Sequence, residues 1–150
     1  MMKLLVEYPS EDAETEILRV HQQGVRVENL DRFGIQTIGG PAELLQAQEE
    51  IRQRTIRDEL LGYIAKVIRT TRTNVRVEVG ASPRSGLMVL TAAKARAALL
   101  GRGHVIPDDI KKVAKPVLRH RIMLKPGAEI DGYTAAEVID GILAQVEVPR

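Results

Sequence analysis

The sequence contains no cysteine or tryptophan, and only one phenylalanine and three tyrosines among its 150 residues. The lack of cysteine excludes disulfides, thiolate metal sites and cysteine nucleophiles, and it fits a reducing compartment such as the cytoplasm. The scarcity of aromatic residues argues against stacking on single-stranded nucleic acid. No apolar run approaches the roughly 20 residues of a membrane-spanning helix. The apolar residues, 44% of the total, are mainly aliphatic and predict helices packed through aliphatic side chains.

The patterns of common enzyme sites are also missing. His21, His104 and His120 are far apart and have no HExxH spacing, so no metal site is predicted. Ser82 and Ser85 lie outside any GxSxG elbow, which disfavours a serine hydrolase. There is neither a Gly-Lys-Ser/Thr phosphate loop nor an apolar run that ends in Asp-Glu. The chain is therefore not predicted to be an enzyme on its own.

Charge is unevenly distributed along the chain. Residues 1–50 carry four Lys/Arg against ten Asp/Glu, whereas residues 94–125 carry nine Lys/Arg against only Asp108 and Asp109. The basic segment is compatible with a solvated helical face or with a surface that contacts phosphate groups. The pair Asp108-Asp109 stands at a predicted helix start, where complementing the helix dipole is a simpler interpretation than a catalytic pair.

Hydrophobic spacing and turn residues predict five or six helices with little strand. Lys3–Tyr8 is predicted as a short strand, and the helix that follows is capped by Ser10 and ended by Gly24. A lone strand needs neighbours, so it predicts a sheet outside this segment. Residues 25–40 form an irregular connector that includes Val25, Val27, Leu30, Phe33, Ile35 and Ile38. Further helices are predicted from Pro41, Ile56, Pro83, Pro107 and Thr134, and Asn74–Val79 is predicted to favour β-structure.

The same spacing predicts which side chains face the core. Pro116 is expected to kink or interrupt the helix that begins at Pro107. Three helices have the clearest apolar stripes. Their predicted inward residues are Leu60, Leu61, Ile64, Val67 and Ile68; Leu87, Leu90, Ala93, Ala97 and Leu100; and Ile110, Val113, Ala114, Val117 and Leu118.

A glycine-rich segment, Gly80-Ala81-Ser82-Pro83-Arg84, precedes the helix predicted from Pro83. It lacks the lysine of a phosphate loop, so it cannot cradle a triphosphate by itself. Arg84 is either an ordinary exposed arginine or a guanidinium offered to an oxyanion that is held elsewhere. Pro83 would fix the entry into the helix, and Gly80 would permit the turn that aims Arg84.

The order of several short motifs resembles the C-terminal lid of MoxR-type AAA+ ATPases. The resemblance implies a mainly α fold, a helical bundle with a short N-terminal strand left from an α/β core that precedes the chain. Residues 1–24 would be the end of that core, residues 25–40 a connector and residues 41–150 the helical lid. The motifs are Tyr8-Pro9-Ser10, Thr70-Thr71-Arg72, Gly80–Arg84, Gly101-Arg102, Val105–Ile110 and Val117–Arg121.

By this resemblance Arg84 is the second sensor, which reaches from the lid to the γ-phosphate, and the supporting turn is Gly80, Ala81, Ser82 and Pro83. The Walker motifs, the first sensor and the arginine finger would lie in the core. ATP and Mg would then bind to the full-length parent, and neither is expected on this chain alone. The parent is expected to be a cytoplasmic ring homo-oligomer that remodels a client protein. Leu118, Arg119, His120 and Arg121 also match the family, but no role is assigned to them.

Two alternatives stay open at the level of the sequence. One is an autonomous helical module that binds nucleic acid through a basic face. The other is a purely structural adaptor. The basic face of the first alternative would consist of Lys94, Arg96, Lys111, Lys112, Lys115, Arg119 and Arg121.

Overall fold

The computed structural model describes residues 1–25 and 33–149, and these divide into two compact units. The smaller unit is Leu5–Gln46, and the larger combines Met1–Leu4 with Ala47–Arg150. Helices dominate the described residues, which confirms the prediction of a mainly α fold. The elements are α1 (Glu11–Gln22), α2 (Pro41–Gln53), α3 (Asp58–Thr73), β1 (Val77–Val79), α4 (Pro83–Leu99), α5 (Pro107–Leu118), β2 (Met123–Leu124), α6 (Pro126–Ile130) and α7 (Ala135–Gln145).

The smaller unit contains α1, whose ends are those predicted. The Ser10 hydroxyl accepts a hydrogen bond from the backbone N–H of Ala13 at 3.3 Å, which caps the helix. Beyond its last turn Gly24 adopts the left-handed conformation, with φ of +73°. Residues 35–40 carry no regular secondary structure, as expected of a connector, whereas Val27 and Leu30 lie outside the described residues.

The segment predicted as a strand, Lys3–Tyr8, is not paired within the described residues, and its pairing with a core that precedes the chain stays a prediction. Residues 1–10 carry no regular secondary structure, and no described strand pairs with them. Lys3 instead bonds to the end of α5. Its N–H donates to the carbonyl of Pro116 at 2.9 Å, and its own carbonyl accepts a hydrogen bond from Arg119. An apolar run forms a strand only where a neighbouring strand offers a ladder.

The core of the larger unit lies between α3, α4, α5 and α7. Ala93 and Ala97 of α4 are fully buried, and side chains this small allow a second helix to approach closely. All five residues predicted to face inward on α5 are buried, which confirms that stripe. The other large contributors, each at most 9% exposed, are Leu60, Tyr63, Ile64, Val67 and Ile68 of α3 and Val138, Ile139, Ile142 and Leu143 of α7.

Three residues predicted to be in the core lie at the surface. Leu61 is 39% exposed, Leu87 61% and Leu100 53%. On α4 the buried stripe includes Val89 and Ala93, so that Leu87 falls outside it. Alanine-rich helices give a weak periodic signal, because a small side chain fits either face.

The two strands form a small antiparallel sheet that leads into the candidate site. Val77 pairs with Leu124 and Val79 with Met123, with an irregularity between the two pairs. Val77 and Leu124 are buried, while Val79 and Met123 are exposed, so the irregularity separates a buried pair from an exposed pair. The β-structure predicted for Asn74–Val79 is thus confirmed in part, and β2 and α6 were not predicted.

Two helix ends test specific sequence predictions, at Pro116 in α5 and at Thr134 before α7. α5 continues through Pro116 to Leu118, so the predicted interruption is wrong. Pro116 cannot donate to the carbonyl of Lys112, four residues earlier, and the helix ends two residues after it. At α7 the capping box is confirmed: the Thr134 N–H donates to Glu137 Oε2 at 2.8 Å, and the Glu137 N–H donates to Thr134 Oγ1 at 3.2 Å.

Candidate functional site

Arg84 is the second residue of α4 and is exposed to solvent. Within residues 1–25 and 33–149 it has no hydrogen bond or ion pair. Pro83 occupies the first helical position, and Ser82 is the N-cap with extended backbone angles of φ −75° and ψ 163°. A helix N-terminus carries partial positive charge from its unsatisfied N–H groups. The guanidinium therefore stands at a place that already favours anions.

The turn before Arg84 is held by the last residues of α3. The N–H of Ala81 donates to Thr71 Oγ1 at 2.9 Å, and the carbonyl of Ala81 accepts from Arg72 Nε at 2.8 Å. Thr71 and Ala81 are both fully buried, and the Thr71 hydroxyl also donates to the carbonyl of Ile68 at 2.7 Å. Both backbone polar groups of Ala81 are thus satisfied by α3, as burial demands.

Gly80 is required by close packing and not by its backbone angle. A Cβ at this position would lie 2.6 Å from the Cα of Arg72 and 2.8 Å from its backbone nitrogen. Its φ is not positive, unlike those of Gly24 and Gly101. Gly80 thus permits the turn through close approach to α3 and not through a left-handed backbone conformation. The glycine lets the turn lie directly against the backbone of α3.

An apolar groove of about 280 Å³ runs between α3 and α4 and reaches this turn. Pro83 and Arg72 line the end of the groove that adjoins the site, and Arg69 also borders it. The exposed side chains of Leu61 and Leu87 belong to the same surface. Its other lining residues are Ile64, Ala65, Ile68, Gly86 and Leu90.

A second charged constellation lies at the other end of α4. Asp109 is 0% exposed. Arg102 donates two hydrogen bonds to its carboxylate, from Nη1 to Oδ2 at 2.7 Å and from Nη2 to Oδ1 at 2.6 Å. The N–H of Ile106 donates to Oδ2 at 3.0 Å, and Arg96 Nε lies 3.4 Å from Oδ1. The carboxylate thereby ties α4, the following turn and the start of α5 together.

Burial by itself raises the pKa of Asp109, but the hydrogen bonds from Arg102 and Ile106 and the charges of Arg102 and Arg96 outweigh it and leave the pKa lowered. The sequence assigns Asp109 to dipole compensation, which its place in the first turn of α5 allows, but it does not reveal the ion pair. The adjacent Gly101-Arg102 motif is the one signal that points to a partner, since it places an arginine just after α4.

Residues 69–142, which run from α3 to α7, match the AAA lid domain family. Over 100% of its length the chain is 32% identical to the chaperone MoxR1 of Mycobacterium tuberculosis. The chain carries the lid domain of a MoxR-type AAA+ ATPase. The chain is also 32% identical, over 99% of its length, to the uncharacterized protein YeaC of Bacillus subtilis.

A solved structure agrees with this assignment. The crystal structure named "putative ATPase" from Cytophaga hutchinsonii superposes on the whole of this chain with a TM-score of 0.80 and 31% sequence identity. The chain spans 45% of YeaC, 40% of MoxR1 and 47% of the Cytophaga chain. The chain therefore spans less than half the length of each of these relatives.

The basic face predicted for a nucleic-acid-binding module is not a row of free cations. Lys94 Nζ donates to the carbonyl of Arg52 at 2.9 Å, and Lys115 Nζ lies 2.5 Å from Asp140 Oδ2. Arg96 approaches Asp109, and Arg119 bonds to the carbonyl of Lys3. Four of the seven cations thus serve contacts within the lid, and the nucleic-acid alternative finds no support.

Neither a metal centre nor a membrane span is found in the described part of the lid. No group of three or more His, Asp or Glu side chains in residues 1–25 and 33–149 is arranged to hold a metal ion. No helix in those ranges is long and apolar enough to cross a bilayer. Among the sequence-predicted site residues, Arg84 is the one with a charged side chain, and it is unpaired within the described residues.

Proposed function

We propose that the lid senses the γ-phosphate of ATP through Arg84. The observation that carries the proposal is the contrast between an unpaired side chain and a fixed backbone. The Arg84 guanidinium has no partner within the described residues, although the turn that presents it is held at Gly80 and Ala81 by α3. Arg102, by contrast, is bound to the buried carboxylate of Asp109.

The chemistry of the guanidinium suits this role. Phosphoryl transfer places charge on the equatorial oxygens of the transferred group, and a planar donor of fixed charge can stabilise it by two parallel hydrogen bonds. An arginine that contacts the phosphate only when the lid closes also couples the nucleotide state to a domain movement. Arg84 would therefore act both in turnover and in conformational coupling.

ATP hydrolysis also needs components that the lid lacks. The lid has no phosphate loop, so an AAA+ core of the same protein would hold ATP and Mg. We propose that the assembled protein is a ring homo-oligomer that hydrolyses ATP and remodels a client protein. The name of MoxR1 as a chaperone supports this activity. The cytoplasm is the proposed compartment, since such a machine needs its supply of ATP.

The test is Arg84→Ala in the full-length ATPase, with steady-state hydrolysis as the measurement. Loss of one preorganised donor to a developing charge lowers kcat by about 100-fold or more, so a loss of that order is expected. Arg57→Ala is a matched control, because Arg57 is also an exposed arginine at a helix N-terminus. It should leave kcat within about twofold.

Thermal unfolding of both variants separates function from folding. Neither arginine has an ion pair within the described residues, so both variants should unfold at the wild-type temperature. Near-normal hydrolysis by Arg84→Ala would contradict the proposed function.

A further inference from the structure

We propose that Thr71 and Arg72, the residues near the C-terminal end of α3, are positioning residues for Arg84. The proposal rests on the function proposed for Arg84 and assigns the groups that aim it. Neither residue is placed on the phosphate. Each acts through the peptide groups of Ala81, three residues before the sensor.

The two hydrogen bonds to Ala81 leave the segment little freedom. Ser82 follows Ala81 as the N-cap, and Pro83 then begins α4 with a φ that its ring fixes. The backbone angles from Pro83 onward are those of the helix. The backbone angles of Ser82 are thus the main torsions that can vary between Ala81 and Arg84. A movement of Ala81 would pass directly to the helix start and to the guanidinium.

The two hydrogen bonds that join Thr71 and Arg72 to Ala81, called the clamp below, are anchored in the core. Thr71 is fully buried, and α3 packs its apolar face into the centre of the lid. Gly80 presses against the backbone of Arg72, so that the turn follows the shape of the end of α3. The last turn of α3 therefore acts as a rigid template for the turn that carries the sensor.

Arg72 contributes a donor at one defined position. Its Nε bonds to a neutral carbonyl, and the side chain makes no ion pair with a described carboxylate. A positioning role depends on the hydrogen bond from Nε, whereas direct attraction of a phosphate would depend on the positive charge. These two dependences can be separated by substitution.

The decisive variants are Arg72→Gln and Arg72→Lys in the full-length ATPase. The amide nitrogen of glutamine is as many bonds from Cα as arginine Nε is, so Gln keeps a donor there and removes the charge. Lysine keeps the charge and places a methylene at that position. We expect Arg72→Lys to lower kcat by about 10-fold or more and Arg72→Gln to stay within about threefold of wild type. The opposite order would overturn the positioning role.

Coupling to Arg84 provides a second criterion. If Arg72 acts through Arg84, Arg72→Lys should change kcat by less than about twofold in an Arg84→Ala background. Losses that multiply in the double variant would show an independent effect and would overturn the proposal.

A readout without ATP distinguishes the clamp from the sensor. Thr71→Val removes the acceptor for the Ala81 N–H, so hydrogen exchange at this amide should accelerate by at least about 10-fold, whereas Thr71→Ser should restore protection. An unchanged exchange rate overturns the positioning role whatever Arg84 does. Faster exchange in Thr71→Val together with normal hydrolysis by Arg84→Ala would contradict the proposed function of Arg84. It would still support the role of Thr71 in holding Ala81. If Thr71→Val fails to fold, the Arg72 variants still decide.

Discussion

The two ends of α4 each carry an arginine, and the structure treats them in opposite ways. At the N-terminal end Arg84 is exposed and unpaired among the described residues, on a turn held through backbone groups. At the C-terminal end Arg102 is bound to a fully buried carboxylate by two short hydrogen bonds. The lid thus uses neutral contacts to place the charge that it leaves free, and ionic contacts where it joins its helices.

The C-terminal end of α4, called the ionic end because of the Arg102–Asp109 pair, is also where separate segments of the larger unit meet. The N–H of Thr55 donates to the carbonyl of Gly103 at 3.1 Å, and the N–H of Val105 donates to the carbonyl of Thr55 at 3.0 Å. The segment before α3 is thereby joined to the turn between α4 and α5. Arg102 and Asp109 stabilise that turn from within.

Breaking the ionic end should give the largest loss of stability. Removing one partner of a buried ion pair costs about 3–5 kcal/mol, because the other charge is left without compensation. We therefore expect Asp109→Ala to lower the free energy of unfolding by about that amount, measured by urea denaturation. Asp108→Ala is the control, since Asp108 is adjacent and exposed, and it should cost less than about 1 kcal/mol. Equal losses in the two variants would show that the buried pair contributes nothing special.

Much of the fold could be predicted because helix ends carry local signals. Ser10, Pro83, Pro107 and Thr134 each stand where a cap or a first helical position was expected, and the helices begin there. The motif that contains Arg84 was also found in the sequence, because glycine, proline and arginine before a helix form a compact pattern. The sensing role of Arg84 stays a prediction.

The features that could not be predicted depend on partners outside the same helix or strand, or on weak patterns. The burial of Asp109 depends on Arg102 in the preceding turn, and an aspartate in a first helical turn looks the same with or without such a partner. β2 has only two residues and exists because Val77 and Val79 offer it a ladder. Lys3–Tyr8 shows the converse, since no described strand offers it a ladder and it carries no regular secondary structure here.

The N-terminal end of α4, where the contacts are neutral hydrogen bonds, can be disturbed by adding a single methyl group at Gly80. A Cβ at Gly80 would overlap the backbone of Arg72, which cannot rotate away as a side chain could. Overpacking of this kind costs about 1–3 kcal/mol, so Gly80→Ala should destabilise the lid by that amount and displace the turn. Gly141→Ala is the matched control, because Gly141 is exposed within α7 and a Cβ added there would meet no atom within 4 Å. It should raise the stability by about 0.5–1 kcal/mol. A neutral Gly80→Ala would mean that the turn does not rest on α3.

The smallest predicted difference between the two ends is their response to acid. The pKa of Asp109 is lowered in the folded lid, because the hydrogen bonds and charges of its partners outweigh the opposing effect of burial. A lowered pKa contributes stability above the unfolded value, here 3.8, and that contribution is lost as the pH falls through the folded pKa. The free-energy difference between wild type and Asp109→Asn, from urea denaturation, should therefore be constant above about pH 5 and shrink as the pH falls below 3.8. The corresponding difference for Arg84→Ala should not change over this range, because no described carboxylate pairs with Arg84. An Asp109→Asn difference that stayed constant down to about pH 2.5, on the order of one unit below the unfolded value, would show that the carboxylate gains no net stabilisation from Arg102, and the contrast between the two ends of α4 would rest on geometry alone.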